Sequence, residues 1–247
     1  MKINAVILDW AGTTVDYGCF APVNAFIAAF GAFGIKVGIE ETRAPMGLAK
    51  RKHIEIMFEG MGLPYTQEDV DRVYARFEPA LFETLTAYTD PLPGVIETVA
   101  KLRGMGIAIG STTGYTRAMM NVVAPAAKEK GYAPDYLVCP EEAGGVGRPA
   151  PHMLWRNLEK FGVSSIHEAL KVGDTIADIQ EGKNAGCLSV GVLKGSSMLG
   201  LSEKELAKKN SIELFALFDA ARRKYLEAGA DYVIEDISTL PQLIKTL

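Results

Sequence analysis

The chain opens with Ile3-Asn4-Ala5-Val6-Ile7-Leu8-Asp9-Trp10-Ala11-Gly12-Thr13-Thr14, an apolar run that ends in a carboxylate and a loop of small residues. Only four consecutive apolar residues precede Asp9, which predicts a strand and not a signal peptide. Similar runs recur at residues 107–110, 136–139, 170–172, 188–192 and 232–234, most of them followed by a helical pattern. This alternation predicts an α/β fold with a Rossmann-like parallel sheet flanked by helices.

One long stretch interrupts the alternation. Residues 22–88 show helical periodicity and no convincing strand, with a capping-box-like start at Thr66 and Asp69. The apolar residues that follow lie three or four apart: Val70, Val73, Phe77, Leu81 and Leu85. We therefore expect an α/β core domain of residues 1–19 and 90–247, with a small helical cap domain of residues 20–89 inserted after the first strand.

Two helical patterns make further predictions. Pro79 falls inside the apolar pattern of the cap and should kink or split that helix, because proline cannot donate the backbone hydrogen bond and clashes with the preceding turn. Late in the chain, residues 202–205 predict the start of one long helix that Gly229 ends.

Composition restricts the class of protein. The chain has 247 residues, a formal charge of −4, 48% hydrophobic and 23% charged residues, which excludes disordered and fibrous classes. An acidic balance without a basic cluster argues against binding to nucleic acid or to an anionic membrane. Three cysteines (Cys19, Cys139 and Cys187) and three histidines without metal-ligand spacing make a zinc site improbable. We expect a reduced, cytoplasmic protein.

Polar side chains follow four of the predicted strands. Asp9 follows the first, Thr112 and Thr113 the second, Arg148 the third, and Asp174 and Asp178 the fourth. Ligands of open α/β sheets bind beyond the carboxyl ends of the strands. A carboxylate can attack phosphorus, several carboxylates can hold Mg²⁺, and hydroxyls with one cation can bind a phosphate. This set is therefore typical of phosphoryl transfer.

Each of these residues also has a structural explanation when it is taken alone. Asp9 and Asp174 could each cap a helix, and Thr113 could form a turn. Arg148, which precedes a proline, could be a surface charge. The conjunction at consecutive strand ends favours the functional interpretation.

The same segments resemble the four motifs of the haloacid dehalogenase superfamily. They are residues 9–14, 111–114, 148–149 and 173–178, and the helical insertion resembles that superfamily's small cap. The resemblance implies that Asp9 is the nucleophile, that Asp174 is a metal ligand, and that Asp178 is a second acid near the metal. Most phosphatases of that superfamily carry a second Asp two residues after the nucleophile, to protonate the leaving group. Here that position is Ala11.

With alanine at position 11, either the protein is catalytically impaired or its leaving group departs without an acid. A halide makes little use of a metal cluster, and an anhydride needs a nucleotide site that no motif here provides. An enamine requires a lysine that condenses with a carbonyl, and Lys50 lies three residues before His53 in the cap. If this segment is helical, the two share a face, and Met46 lies near it one turn earlier. Alternatively, Lys50 belongs to a solvated basic face.

Longer stretches closely resemble the phosphonoacetaldehyde hydrolase family over essentially the whole chain. They are residues 9–22, 45–50, 110–117 and 171–175. The resemblance implies cleavage of a carbon–phosphorus bond through a Schiff base on Lys50 and an aspartyl phosphate on Asp9. It also implies Mg²⁺ held by Asp9, Asp174 and the carbonyl of Ala11, with Asp178 nearby.

The resemblance assigns supporting roles to further residues. Thr113, Gly114 and Arg148 are expected to bind the phosphoryl group, and His53 is a candidate proton shuttle. Tyr115, Cys19 and Met46 are expected to be neighbours of the substrate, although Tyr115 and Cys19 could equally be core residues and His53 structural. The family also implies a homodimer joined through the cap.

Two other functions stay open on the sequence. One is a small-molecule phosphate-ester phosphatase of the same superfamily, against which Ala11 argues. The other is a non-catalytic module that binds phosphorylated ligands, which the joint presence of Asp9, Asp174, Asp178 and Lys50 disfavours.

Overall fold

The computed structural model describes residues 2–247 and contains one parallel sheet with the strand order β3-β2-β1-β4-β5-β6. The strands are β1 (Ala5–Leu8), β2 (Ala108–Thr112), β3 (Tyr136–Val138), β4 (Ala169–Gly173), β5 (Leu188–Val192) and β6 (Tyr232–Ile234). β1 pairs with β2 on one side and with β4 on the other, which places Leu8 beside both Ser111 and Val172. The predicted fold class is confirmed, and every predicted strand lies within two residues of its observed bounds.

The helices flank this sheet or fill the segment between β1 and β2. That segment contains α1 (Phe20–Gly31), α2 (Ile39–Arg43), α3 (Lys50–Gly60), α4 (Gln67–Phe82) and a 3₁₀ turn at Leu85–Tyr88. The others are α5 (Val95–Gly104), α6 (Arg117–Glu129), α7 (His152–Phe161), α8 (Ile176–Ala185), α9 (Glu203–Ala207), α10 (Ser211–Glu227) and α11 (Leu240–Thr246). The insertion after β1 is therefore helical, and its division from the core at residues 20 and 89 stays a prediction.

The side chains of β1 explain why it lies at the centre of the sheet. Successive residues of a strand point to opposite faces. Val6 and Leu8 belong to the main apolar cluster, whereas Ala5 and Ile7 pack with a second cluster that includes Leu154 of α7. Both faces of β1 are therefore buried, and the strand ends at Leu8, immediately before Asp9.

No helix among residues 2–247 has the length and apolar character needed to cross a bilayer.

The inserted helices have an aromatic core of their own. Phe26 of α1 lies between two rings, with centroid distances of 3.9 Å to His53 of α3 and 4.1 Å to Phe77 of α4. All three side chains are fully buried. This packing joins α1, α3 and α4, and it fixes the face of α3 that carries Lys50.

Two of the helical predictions were wrong in part. Pro79 does not split α4, which continues to Phe82; Pro79 lies in the last turn, where its carbonyl still accepts a hydrogen bond from Glu83 N. The predicted long helix after Ser202 is two helices, because Asn210 caps a new one with its side chain on the amides of α10. The capping box at Thr66 and the end of α10 just before Gly229 are confirmed.

Candidate active site

The carboxyl ends of β1, β2 and β4 surround a small cavity of about 20 Å³, which is space for about one water molecule. Its wall contains most of the residues predicted for the site, and the segments before α1 and α3 contribute Cys19, Met46 and Gly47 to it. The lining residues are Asp9, Ala11, Cys19, Pro22, Met46, Gly47, Lys50, Thr113, Gly114, Tyr115, Arg148 and Thr175. The structure thus brings the predicted nucleophile and the predicted condensing lysine to one cavity.

Three buried carboxylates meet on the sheet side of this cavity. Asp9, Asp174 and Asp178 each offer an oxygen within 4.8 Å of the others. Hydrogen bonds hold Asp174, because its Oδ1 accepts from Thr13 Oγ1 at 3.0 Å and its Oδ2 accepts from a backbone amide at 2.7 Å. Gly12 permits this approach: it has φ 89°, and a Cβ there would lie 2.4 Å from Asp174 Oδ2.

The negative charges of these three carboxylates repel one another. Burial raises the pKa of Asp9, and Arg148 only partly offsets this effect. Burial, together with the charges of Asp9 and Asp178, raises the pKa of Asp174 well above its usual value. Burial also acts against ionisation of Asp178, yet Arg148 and Lys171 keep its pKa below the usual value. The site therefore has an excess of negative charge at Asp9 and Asp174.

Two buried cations compensate part of this charge. Arg148 lies 2.6 Å from Asp9 Oδ1, 3.0 Å from Asp178 Oδ1 and 3.0 Å from Glu181 Oε2. Lys171 lies 2.8 Å from Asp178 Oδ1 and 3.1 Å from Glu181 Oε2. Arg148 is thus not the surface charge that its sequence context allowed.

The donor set fits a hard divalent cation such as Mg²⁺. Four carboxylates are buried here, those of Asp9, Asp174, Asp178 and Glu181, and among residues 2–247 only Arg148 and Lys171 form ion pairs with them. A dication would neutralise the remaining two charges, and carboxylate oxygens are its preferred ligands.

Asp178 is less free to bind such an ion directly. Its Oδ1 faces Arg148 and Lys171, and its Oδ2 accepts from the amide and hydroxyl of Thr175 as part of the cap of α8. Asp178 is therefore both a helix-capping residue and a neighbour of the candidate metal site. Asp9 and Asp174 retain more freedom to act as ligands.

Lys50 is buried in an apolar and aromatic environment. Its Nζ lies 4.9 Å from the ring centroid of Tyr115 and 5.9 Å from that of Phe26. No carboxylate of residues 2–247 lies within ion-pairing distance of this nitrogen, and burial lowers the pKa of Lys50 to about 8. The solvated basic face that the sequence allowed is therefore wrong for Lys50, although the next two residues, Arg51 and Lys52, are exposed.

The segment before α3 contacts the core closely. A Cβ on Gly47 would lie 2.3 Å from Thr175 Oγ1, and a Cβ on Gly114 would lie 2.6 Å from the carbonyl oxygen of Leu48. The helix α3 begins only at Lys50, so Met46 enters the cavity from a turn and not from the preceding turn of a helix. Because Gly47 and Gly114 have no side chains, the segment before α3 can lie close to the loops that follow β2 and β4.

The remaining predicted residues occupy different places. Thr113 and Tyr115 line the cavity, and Thr113 Oγ1 accepts a hydrogen bond from the Tyr115 amide at 3.1 Å.

Burial raises the pKa of the Cys19 thiol, which stays protonated. His53 does not line the cavity; its Nε2 lies 2.8 Å from the carbonyl oxygen of Thr42. Burial and the charge of Lys50 keep the pKa of His53 well below its usual value.

The structure also decides between two interpretations of Asp9. No helix begins beside Asp9; instead Asp16 caps α1, accepting from the amides of Phe20 and Ala21 at 3.0 and 3.1 Å. The sequence did not predict that Asp16 caps α1 or that Glu181 and Lys171 form buried ion pairs beside the site. Lys171 had a detectable signal, since it is a lone charge inside the otherwise apolar β4.

Comparison with known proteins identifies relatives of this chain. Residues 3–186 match the model of the haloacid dehalogenase-like hydrolase family. A phosphonoacetaldehyde hydrolase of Bacillus cytotoxicus is 47% identical, over 99% of this chain and 96% of the relative. A bifunctional phosphonoacetaldehyde hydrolase/aminoethylphosphonate transaminase of Clostridioides difficile is 51% identical over 98% of this chain. The chain spans only 40% of that longer protein.

Solved structures agree with these relatives. The crystal structure of a phosphonoacetaldehyde hydrolase-like protein from Oleispira antarctica superimposes with a TM-score of 0.95 and 34% identity. That match covers all of this chain and 92% of the other.

Proposed function

Because this chain belongs to the haloacid dehalogenase-like hydrolases and, within them, to the phosphonoacetaldehyde hydrolase family, we propose that it hydrolyses phosphonoacetaldehyde to acetaldehyde and phosphate. The observation that carries this proposal is that Lys50 and Asp9 line one cavity together with Ala11. An ordinary ester phosphatase needs no buried lysine, and it does need an acid where this chain has alanine.

Lys50 begins the proposed reaction. A neutral amine is required to attack the aldehyde carbon, and a pKa of about 8 leaves roughly a tenth of the amine neutral at pH 7. Loss of water then gives an iminium on Nζ. This iminium accepts the electron pair of the carbon–phosphorus bond, so the departing carbon becomes an enamine and not a carbanion.

Asp9 accepts the phosphoryl group in the same step. Arg148 lies 2.6 Å from Asp9 Oδ1 and supplies positive charge where the phosphate oxygens arrive. Thr113 and Gly114 line the same wall and are proposed to bind the remaining oxygens. Water hydrolyses the aspartyl phosphate, while protonation of the enamine carbon and hydrolysis of the imine release acetaldehyde and restore Lys50.

Mg²⁺ is proposed to be held by Asp9, Asp174 and the Ala11 carbonyl, with Asp178 nearby, and when bound it neutralises phosphate charge. His53 is proposed to move protons for Lys50, one turn earlier on α3, because the Nδ1 atom of its neutral imidazole has no hydrogen-bond partner among residues 2–247. Cys19, Met46 and Tyr115 are proposed to surround the two-carbon aldehyde and exclude water from it.

The test is phosphate release from phosphonoacetaldehyde, with and without Mg²⁺. We expect release by the native protein with Mg²⁺ and none by a Lys50→Arg variant, which keeps the charge but cannot condense at neutral pH. Lys52→Arg is the matched control, because Lys52 is exposed two residues further along the same helix. Release from a panel of phosphate esters but not from the phosphonate would instead establish the ester phosphatase. Absence of release from either would favour the non-catalytic binding module.

A cytoplasmic location and a homodimer joined through the helical insertion are also proposed for this chain, from the family alone. Sedimentation velocity tests the dimer directly, and a single species at the monomer mass would contradict it.

A further inference from the structure

A lysine lies inside the central part of the sheet. Lys171 is fully buried in β4, which has a strand on either side. Burying an ammonium group is costly unless it is paired. Its Nζ lies 2.9 Å from Thr112 Oγ1, 2.8 Å from Asp178 Oδ1 and 3.1 Å from Glu181 Oε2. Three acceptors therefore hold this one cation.

Arg148 uses the same three acceptors. Its Nη2 donates to Thr112 Oγ1 at 2.8 Å, its Nη1 lies 3.0 Å from Asp178 Oδ1, and its Nε donates to Glu181 Oε2 at 3.0 Å. Unlike Lys171, Arg148 also reaches Asp9, with Nη2 at 2.6 Å from Oδ1. Arg148 therefore connects the buried group of acceptors to the proposed nucleophile.

We propose that Glu181 and Lys171 are positioning residues that hold the Arg148 guanidinium against Asp9. Glu181 fixes the Nε side of the guanidinium, so that Nη2 points at the nucleophile. Lys171 supplies one of the two positive charges that face Asp178 and Glu181; without it, both carboxylates would compete for Arg148 and draw it away from Asp9. Neither residue lines the cavity, so each acts through Arg148.

Stability alone does not account for this group of charges. Well-packed apolar residues of similar volume can often replace a buried ion pair without loss of stability, whereas buried ion pairs carry a desolvation cost. Lys171 and Glu181 both belong to the group of buried polar side chains that surrounds Arg148. Their presence is better explained by the geometry that they impose on Arg148, which contacts Asp9. This inference rests on the proposed function, because it assigns Asp9 the role of phosphoryl acceptor.

The first test is Glu181→Gln, which preserves shape but removes the charge. We expect kcat for phosphate release to fall by about 10- to 100-fold, the usual effect of removing a group that orients a site residue. Borohydride trapping of the substrate aldehyde on Lys50 should stay at the native level, because Lys50 contacts neither Glu181 nor Lys171. An unchanged kcat overturns the proposal.

Ser189→Ala is the matched control. Its hydroxyl is buried beside Gly182 of the same helix as Glu181 and donates to the Ile179 carbonyl, without reaching Arg148. We expect native kcat for this variant. A loss equal to that of Glu181→Gln would show that any disturbance of α8 has the same effect, and would overturn the positioning role.

The double variant Lys171→Met/Glu181→Gln separates geometry from charge balance, since it leaves the net buried charge unchanged. Recovery of kcat in the double variant would mean that the pair only balances charge, and would overturn the proposal; we expect kcat to stay low.

Should the native protein release no phosphate, the proposed function fails separately. Calorimetric binding of inorganic phosphate with Mg²⁺ then still tests Glu181→Gln, with about 10-fold weaker binding expected and equal binding refuting the positioning role.

Discussion

Replacing Lys50 with methionine should stabilise this protein and abolish its activity. Lys50 is 4% exposed, and burial lowers its pKa from 10.5 to about 8. A shift of one unit corresponds to about 1.4 kcal/mol, so confining the charged lysine costs the folded state about 3 kcal/mol at neutral pH. Methionine has a similar length and no charge, and therefore removes this cost.

The pH dependence fixes the sign of the effect. Below pH 8 the lysine is charged in both the folded and the unfolded protein, so the whole penalty is present. Between pH 8 and 10.5 the folded lysine is neutral while the unfolded lysine still binds a proton, and the penalty fades as the pH rises. The advantage of Lys50→Met should therefore be largest at pH 7 and nearly absent above pH 10.5.

Thermal unfolding followed by circular dichroism measures this difference. For a chain of this length, about 3 kcal/mol corresponds to a rise in Tm of roughly 6–12 °C. Lys52→Met is the matched control: Lys52 is exposed on the same helix and forms an exposed ion pair with Glu55, so the Tm of this variant should stay within about 2 °C of the native value. A Lys50→Met protein that melts below the native protein, or a gap independent of pH, would refute the account of Lys50.

Three other predictions concern the acidic side of the cavity. Gly12→Ala forces a Cβ to within 2.4 Å of Asp174 Oδ2 at φ 89°, and Mg²⁺ affinity measured by calorimetry should fall about 10-fold or more; native affinity would disprove the close approach. Because the pKa of Asp174 is raised, its burial destabilises the fold as the pH rises above the usual range of Asp, so the Tm gain from Mg²⁺ should grow with pH; a gain independent of pH would count against Asp174 as a ligand. Ala11→Asp should add hydrolysis of p-nitrophenyl phosphate to the activity of the protein, and a failure to gain it would separate residue 11 from the choice of leaving group.

The sequence predicted those features that depend on local patterns. Alternating apolar runs located the strands, and the capping box at Thr66 located the start of α4. The carboxyl ends of parallel strands meet at one edge, so the convergence of Asp9, Thr113 and Asp174 followed from their places after β1, β2 and β4. Two local patterns misled: Pro79 lies in a helix that continues to Phe82, and Asn210 starts a second helix inside a stretch whose pattern predicted one continuous helix.

The features that escaped prediction depend on contacts between distant segments. Glu181 is 33 residues from Arg148 and Lys171 is 59 residues from Thr112, so no spacing rule connects these pairs. His53 shares α3 with Lys50, but its ring stacks against Phe26 of α1 and does not line the cavity. Burial decided the ionisation of Lys50, and burial is a property of the packed structure.

The most direct test of the account is to trap the Schiff base. The protein is incubated with phosphonoacetaldehyde and Mg²⁺, reduced with borohydride, digested and analysed by mass spectrometry. We expect a reduced two-carbon adduct on Lys50, and none on Lys52 of the same helix. Phosphate release by the native protein without any adduct on Lys50 would contradict the central claim that this lysine makes the carbon–phosphorus bond cleavable.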